Sequence, residues 1–166
     1  MLTGALTFRS QSASDVDGTL FWSRPAQPAA PMFPDGFAIQ VAAIGSRYTA
    51  PATNQPVVPV APGANNAALA LGDGGLATPV VQPATLSASN TITISAPAVS
   101  GLSARINPLR GNFSGKFKHP QTGTVTTIRG VILQKQGAGF GFFAGGTDAG
   151  YATLAPADTQ AALIAP

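Results

Sequence analysis

Between Gly111 and Gly146 the chain reads GNFSGKFKHPQTGTVTTIRGVILQKQGAGFGFFAGG, and within it the side chains change character at every second position. In Asn112 to His119, Phe113, Gly115 and Phe117 alternate with Ser114, Lys116 and Lys118, which is the period of a strand with one dry and one wet face. His119-Pro120-Gln121-Thr122-Gly123 supplies the Pro and Gly of a short hairpin turn. Thr124 to Gln136 is rich in β-branched residues (Val125, Ile128, Val131, Ile132), and Gly130 in its middle reads as a bulge or bend. After the turn Gly137-Ala138-Gly139, a third strand carries Phe140, Phe142 and Phe143 and stops at Gly145-Gly146. Three strands in immediate succession demand antiparallel pairing and constrain the rest of the chain to a β architecture.

The same alternation recurs upstream. Leu2 to Phe8, Thr19 to Ser23 and Phe37 to Tyr48 are strand candidates, with Phe37, Ile39, Val41 and Ala43 on one face of the last. A strand beginning so close to Met1 is the pattern expected of a module cut from a longer chain. Ala67 to Leu71, a short piece around Val80 and Val81, Thr91 to Ser95, Leu102 to Asn107 and Gly150 to Leu154 complete the set. The proline-bearing segments Arg24 to Pro34 and Thr49 to Asn65 read as surface connections. Short strands separated by Pro and Gly, with no segment of helical period, predict an all-β fold. A single antiparallel up-and-down β-barrel of about nine or ten strands over 1–154 is favoured, because closure removes exposed edges, with a β-sandwich as the alternative. Residues 155–166 read as an Ala-rich tail able to form a helical turn, dock or fray.

Composition narrows the function. A chain of 166 residues makes one ordinary domain, which buries roughly 70% of its unfolded surface on folding and needs no staples. Cysteine is absent, which removes disulfides, thiolate metal sites and thiol catalysis. Charged residues are only 9% of the chain, against about 25% for an average soluble domain. The shortage of Lys and Glu, beside abundant Thr, Ser, Pro and Gly, points to an extracellular or cell-surface β protein. Six Arg and three Lys give a net charge of +3. Their scatter, with only Lys116 and Lys118 close together, offers no stripe for a phosphate backbone, so no nucleic-acid partner is expected. No stretch approaches the ~20 apolar residues of a transmembrane helix, and the residues after Met1 lack the pattern of a secretory signal. No membrane insertion is expected.

Candidate sites are few. His119 is the only histidine and has no carboxylate near it in sequence, so it reads as a turn residue whose ring bonds backbone. Asp15, Asp17, Asp35, Asp73, Asp148 and Asp158 lie in turns or the tail, where capping is the plain role. The Gly-rich stretches lack the helix and Lys-Ser/Thr of a phosphate loop. No catalytic constellation, no metal site and no cofactor follow from these residues. Trp22, Arg24, Arg47, Tyr48 and Tyr151, aromatic rings flanked by arginines, are the best candidate binding set, suited to sugars or peptides, although core packing is the stronger reading for Trp22.

The order of residues also carries a resemblance. G-N-F-S-G-K-F-K-H-P-Q-T-G (Gly111 to Gly123), R-G-V-I-L-Q-K-Q (Arg129 to Gln136) and G-F-G-F-F-A-G (Gly139 to Gly145) resemble the end of a β-rich module found at the C-termini of large, repetitive, secreted bacterial surface proteins. G-T-L-F-W-S-R-P-A-Q (Gly18 to Gln27), F-P-D-G-F (Phe33 to Phe37) and G-S-R-Y-T-A-P (Gly45 to Pro51) are similar to its first half, so nearly the whole chain is covered. The resemblance implies an extracellular or surface setting and neighbouring repeats, and no established activity. The function expected is that of a non-enzymatic structural or adhesion module that contacts a protein partner or copies of itself. The alternative is a barrel holding a glycan or small ligand. An interior filled by Phe113, Phe117, Ile128 and Phe142 would exclude that alternative.

Overall fold

Where the sequence alternates, the backbone is extended. A computed structural model describes residues 1–164, the side chain of Ile164 excepted. Its strands are β1 (Leu2–Phe8), β2 (Val16–Arg24), β3 (Phe37–Gly45), β4 (Ala67–Asp73), β5 (Val80–Leu86), β6 (Ile92–Ile94), β7 (Ser103–Asn107), β8 (Asn112–Lys118), β9 (Val125–Leu133), β10 (Ala138–Ala144) and β11 (Ala149–Pro156). One helix, α1 (Gln160–Ile164), follows. The fold is all-β and antiparallel, as expected, with a barrel at its centre.

The strands divide into two sheets. Eight form a ring in the order β6-β5-β4-β11-β10-β9-β8-β7, so chain order runs round the barrel and β11 pairs back with β4. The ring holds eight strands because β4 accepts β11, which leaves β1, β2 and β3 to form a separate meander. One seam, between β6 and β7, is not hydrogen-bonded strand to strand. A side chain anchors the connection between these two strands. Gln82 of β5, buried, donates from Nε2 to the carbonyls of Ser95 (2.8 Å) and Pro97 (3.3 Å), and its Oε1 accepts from the Val99 N–H (3.0 Å).

The ring is filled. Phe113, Phe117, Ile128, Ile132, Phe143, Leu69, Leu71, Leu86, Ala152 and Leu154 make one dry cluster, in which each large side chain contributes about 1.5–3 kcal/mol by leaving water. Phe142 is the exception to the interior expected for it. It is 58% exposed, and Phe143 takes the inner place at 0%. Parity explains the exchange: Gly139, Gly141 and Phe143 point in, while Phe142 lies opposite Arg129 on the outer side. Gly130 is not a bulge either, since register is continuous through it on both sides. It is a seat for Phe113, whose ring lies where a Cβ on Gly130 would project.

Two connections do more than connect. The segment 49–65, read as a surface loop, carries Val57 and Val58 into the core at 4% and 0% exposure. Its backbone is satisfied there by buried Asn90, which accepts from the Val57 N–H (2.7 Å) and donates to the Gln55 carbonyl (3.0 Å). Of the stretch read as a tail, Ala155 and Pro156 are buried in β11. The helix α1 packs on β4 and β11, where buried Gln160 donates to the Thr153 hydroxyl (2.6 Å). Residues 165–166 lie outside the described residues.

Candidate binding surfaces

The five residues singled out from sequence fall into three places. Trp22 and Arg24 sit on one face of β2, where Trp22 is 48% exposed and packs edge-on against Phe37 (centroids 5.0 Å), and Arg24 donates to the Gln27 side chain (3.1 Å). Arg47 and Tyr48 follow β3, and the Arg47 backbone N–H bonds Asp15 (2.8 Å). Tyr48 lies over Gly111 and donates its hydroxyl to the Pro108 carbonyl (2.5 Å), and burial pushes its phenol above the ordinary value. Tyr151 lies flat across Gly72 on the outside of β11. No hydrogen bond or ring contact joins the three groups among the described residues.

His119 is a structural residue by geometry. Its ring is buried, its Nδ1 accepts from the Thr122 N–H (3.4 Å), and Nε2–H then donates to the Gly74 carbonyl (2.9 Å). Phe117 and Phe143 pack against it. Both ring nitrogens are engaged by backbone, which ties the β8–β9 hairpin to the turn after β4.

Asp15 and Asp17 lie where the small sheet meets the barrel. The Lys135 ammonium, in a 3₁₀ turn at Gln134–Gln136, donates to Asp15 (2.7 Å), the Gln11 carbonyl (2.6 Å) and the Ser10 hydroxyl (3.1 Å). Asp15 is held below the usual carboxylate range chiefly by that hydrogen bond from Lys135. Asp17 is lowered chiefly by Arg9, with which it forms a two-point ion pair (2.7 and 3.2 Å). Gln134 adds a reciprocal pair of bonds to the Thr49 backbone, both 2.8 Å, and the Gln136 amide reaches the Ala13 carbonyl. Each of the two carboxylates is thus occupied as a clasp.

Two outer surfaces have no such closed account. The first is one face of the three-stranded sheet. Register aligns Leu2 with Trp22 and Ile39, and Leu20 with Val41, and puts Leu6 and Phe8 on the same side. Phe8 is 79% exposed and Leu2 59%, so this is a contiguous apolar face open to water. The second lies outside β7, β8 and β9. Arg105, Ser114 and Arg129 stand directly opposite one another across the three strands, with Ser103, Lys116 and Thr127 as the next row. With Arg110, Asn107 and Asn112 they line a depression of about 1070 Å³. A second depression of about 470 Å³ shares Thr127 and Arg129 and is lined on its far side by Phe142. No carboxylate lines either one, and the only ion pairs among the described residues are Arg9–Asp17 and Lys135–Asp15. The cations are distant in sequence and become neighbours only through strand register, so the chain's linear order shows scatter where the fold makes a patch.

No family model, curated protein or solved structure matches the chain.

Proposed function

We propose that this protein is a non-enzymatic structural or adhesion module of a bacterial extracellular or cell-surface protein, working through contact with copies of itself. The carrying observation is the three-stranded sheet, whose apolar face is open and whose edge strand β1 has no pairing partner on its outer side among the described residues. β1 runs Leu2–Phe8 without a charge or a proline. Native sheets commonly blunt an edge with such residues, and an edge left flat and uncharged is a template for a further strand. A second copy of the same sheet is the occupant that fits, because the face is apolar along its length, with Arg24 the one charge at its end. The resemblance of the chain's motifs to repeat-bearing surface proteins, and its low charge, support the surface setting.

Light scattering across a concentration series tests this reading. The expected result is a concentration-dependent oligomer that Leu6→Lys and Phe8→Lys convert to monomer with the barrel still folded. A strictly monomeric native chain at high concentration would overturn it. The rival ligand-holding barrel draws no support from the interior, where aromatic and aliphatic side chains occupy the middle of the ring.

A further inference from the structure

We infer that the outer face of β7, β8 and β9 is a binding surface for an acidic polysaccharide, a carboxylated glycan chain lying along the two adjoining depressions. The ligand class follows from the lining. Arg105, Arg110, Lys116 and Arg129 are cations with no anionic partner among the described residues, and guanidinium groups recognise carboxylates by paired, charge-assisted hydrogen bonds. Arg105 is already oriented, since its Nε donates to the Ser114 hydroxyl across the strand pair (3.0 Å). Between the cations stand Ser103, Asn107, Asn112, Ser114 and Thr127. Hydroxyls and amides both donate and accept, which is what a chain of sugar hydroxyls requires. In the second depression, exposed Phe142 lies opposite Arg129 and offers a flat apolar ring to a sugar face.

The lining separates this ligand from nucleic acid. Arg105 and Arg129 stand two strands apart, roughly 10 Å, and Lys116 is two residues along β8 from the row between them, roughly 7 Å. Platforms for single strands use several stacked aromatic rings, and Phe142 is the one exposed ring among the residues lining these depressions. A chain of sugar hydroxyls bearing carboxylates matches this lining of cations interleaved with hydroxyls and amides better.

The test is calorimetric titration of the full chain with an oligogalacturonate. A neutral cello-oligosaccharide of equal length and an oligothymidylate of equal charge serve as the other arms. Binding of the acidic oligosaccharide alone is expected, weakening as salt rises. Arg105→Gln and Arg129→Gln should each weaken it about tenfold, whereas Arg24→Gln on the other sheet should leave it unchanged. Amide shifts in the unmutated chain should move at Ser103–Asn107, Ser114 and Thr127. Equal affinity for the neutral oligosaccharide, tighter binding of the oligothymidylate, shifts confined to other strands or no binding at all would each overturn the assignment.

Discussion

The two sheets of this protein are built from the same kind of sequence and end in opposite conditions. In the eight-stranded ring, alternate positions deliver Phe117, Ile128, Leu69 and Phe143 to a dry centre at 0–1% exposure. In the three-stranded sheet the same alternation delivers Leu2, Leu6, Phe8, Trp22 and Ile39 to a face that is 44–79% exposed. Of residues 1 to 50 only Ser14 is buried. The difference lies in closure: a sheet of eight strands curls until its inner face covers itself, and three strands cannot. Alternation records which face a strand needs covered, and topology decides whether the chain covers it or leaves that to another surface.

The largest expected effect tests this contrast directly. Phe117→Ala removes a ring packed edge-on against Phe143 (5.1 Å) and stacked near His119, and should cost about 3–5 kcal/mol in urea unfolding. Leu6→Ser on the open sheet should stay within about 0.5 kcal/mol in dilute solution. If the two losses are alike, the open face is covered in solution and the contrast fails. Next in size is Gln82→Leu at the barrel's seam. It strips partners from the Ser95 and Pro97 carbonyls and the Val99 N–H, for about 1–3 kcal/mol. Hydrogen exchange should then rise first in β6 and β7, the strands that lack direct pairing with each other.

These sites also mark how far the sequence could be read. Most strands of the ring were legible, because Pro and Gly punctuate alternating runs, but β5 was seen only at its start, since Pro83 lies inside it opposite Ala68. The closure of β4 on β11 was not, since nothing in either strand names its partner. Phe142 was misplaced because three phenylalanines within four residues leave parity ambiguous, and only the inward glycines on either side resolve it. Val57 and Val58 were hidden in a proline-rich stretch, where composition says surface, yet Asn90 satisfies the backbone and lets the valines in. The basic patch is the plainest case. Arg105, Lys116 and Arg129 lie in three different strands, and register alone brings them together.

Between the two sheets sits the clasp, where the remaining effects are smaller and regional. Lys135→Met removes the ammonium that holds Ser10, Gln11 and Asp15. Exchange should quicken in β1 and β2 while β8 to β11 keep their protection, as measured by native-state hydrogen exchange. Wholesale unfolding of the ring by this substitution would mean that the small sheet supports the barrel rather than hanging from it.

Acid should reproduce that uncoupling without a mutation. The Asp15 carboxylate, hydrogen-bonded by Lys135, and the Asp17 carboxylate, bonded by Arg9, both have folded values below the ordinary one. The unfolded chain therefore binds the proton more readily. The stabilisation is present in full above the ordinary carboxylate value and disappears as pH falls through the lowered folded values. The barrel's dry cluster contains no carboxylate. Hydrogen exchange followed downward in pH, and corrected for its intrinsic rate, should thus loosen β1 and β2 at a pH where Phe117 and Ile128 remain protected. Asp15→Asn should flatten the response of the small sheet and leave the ring's profile where it was. Simultaneous loss of protection in both sheets, at one pH, would show that the clasp transmits its titration to the core and that the two regions unfold as one.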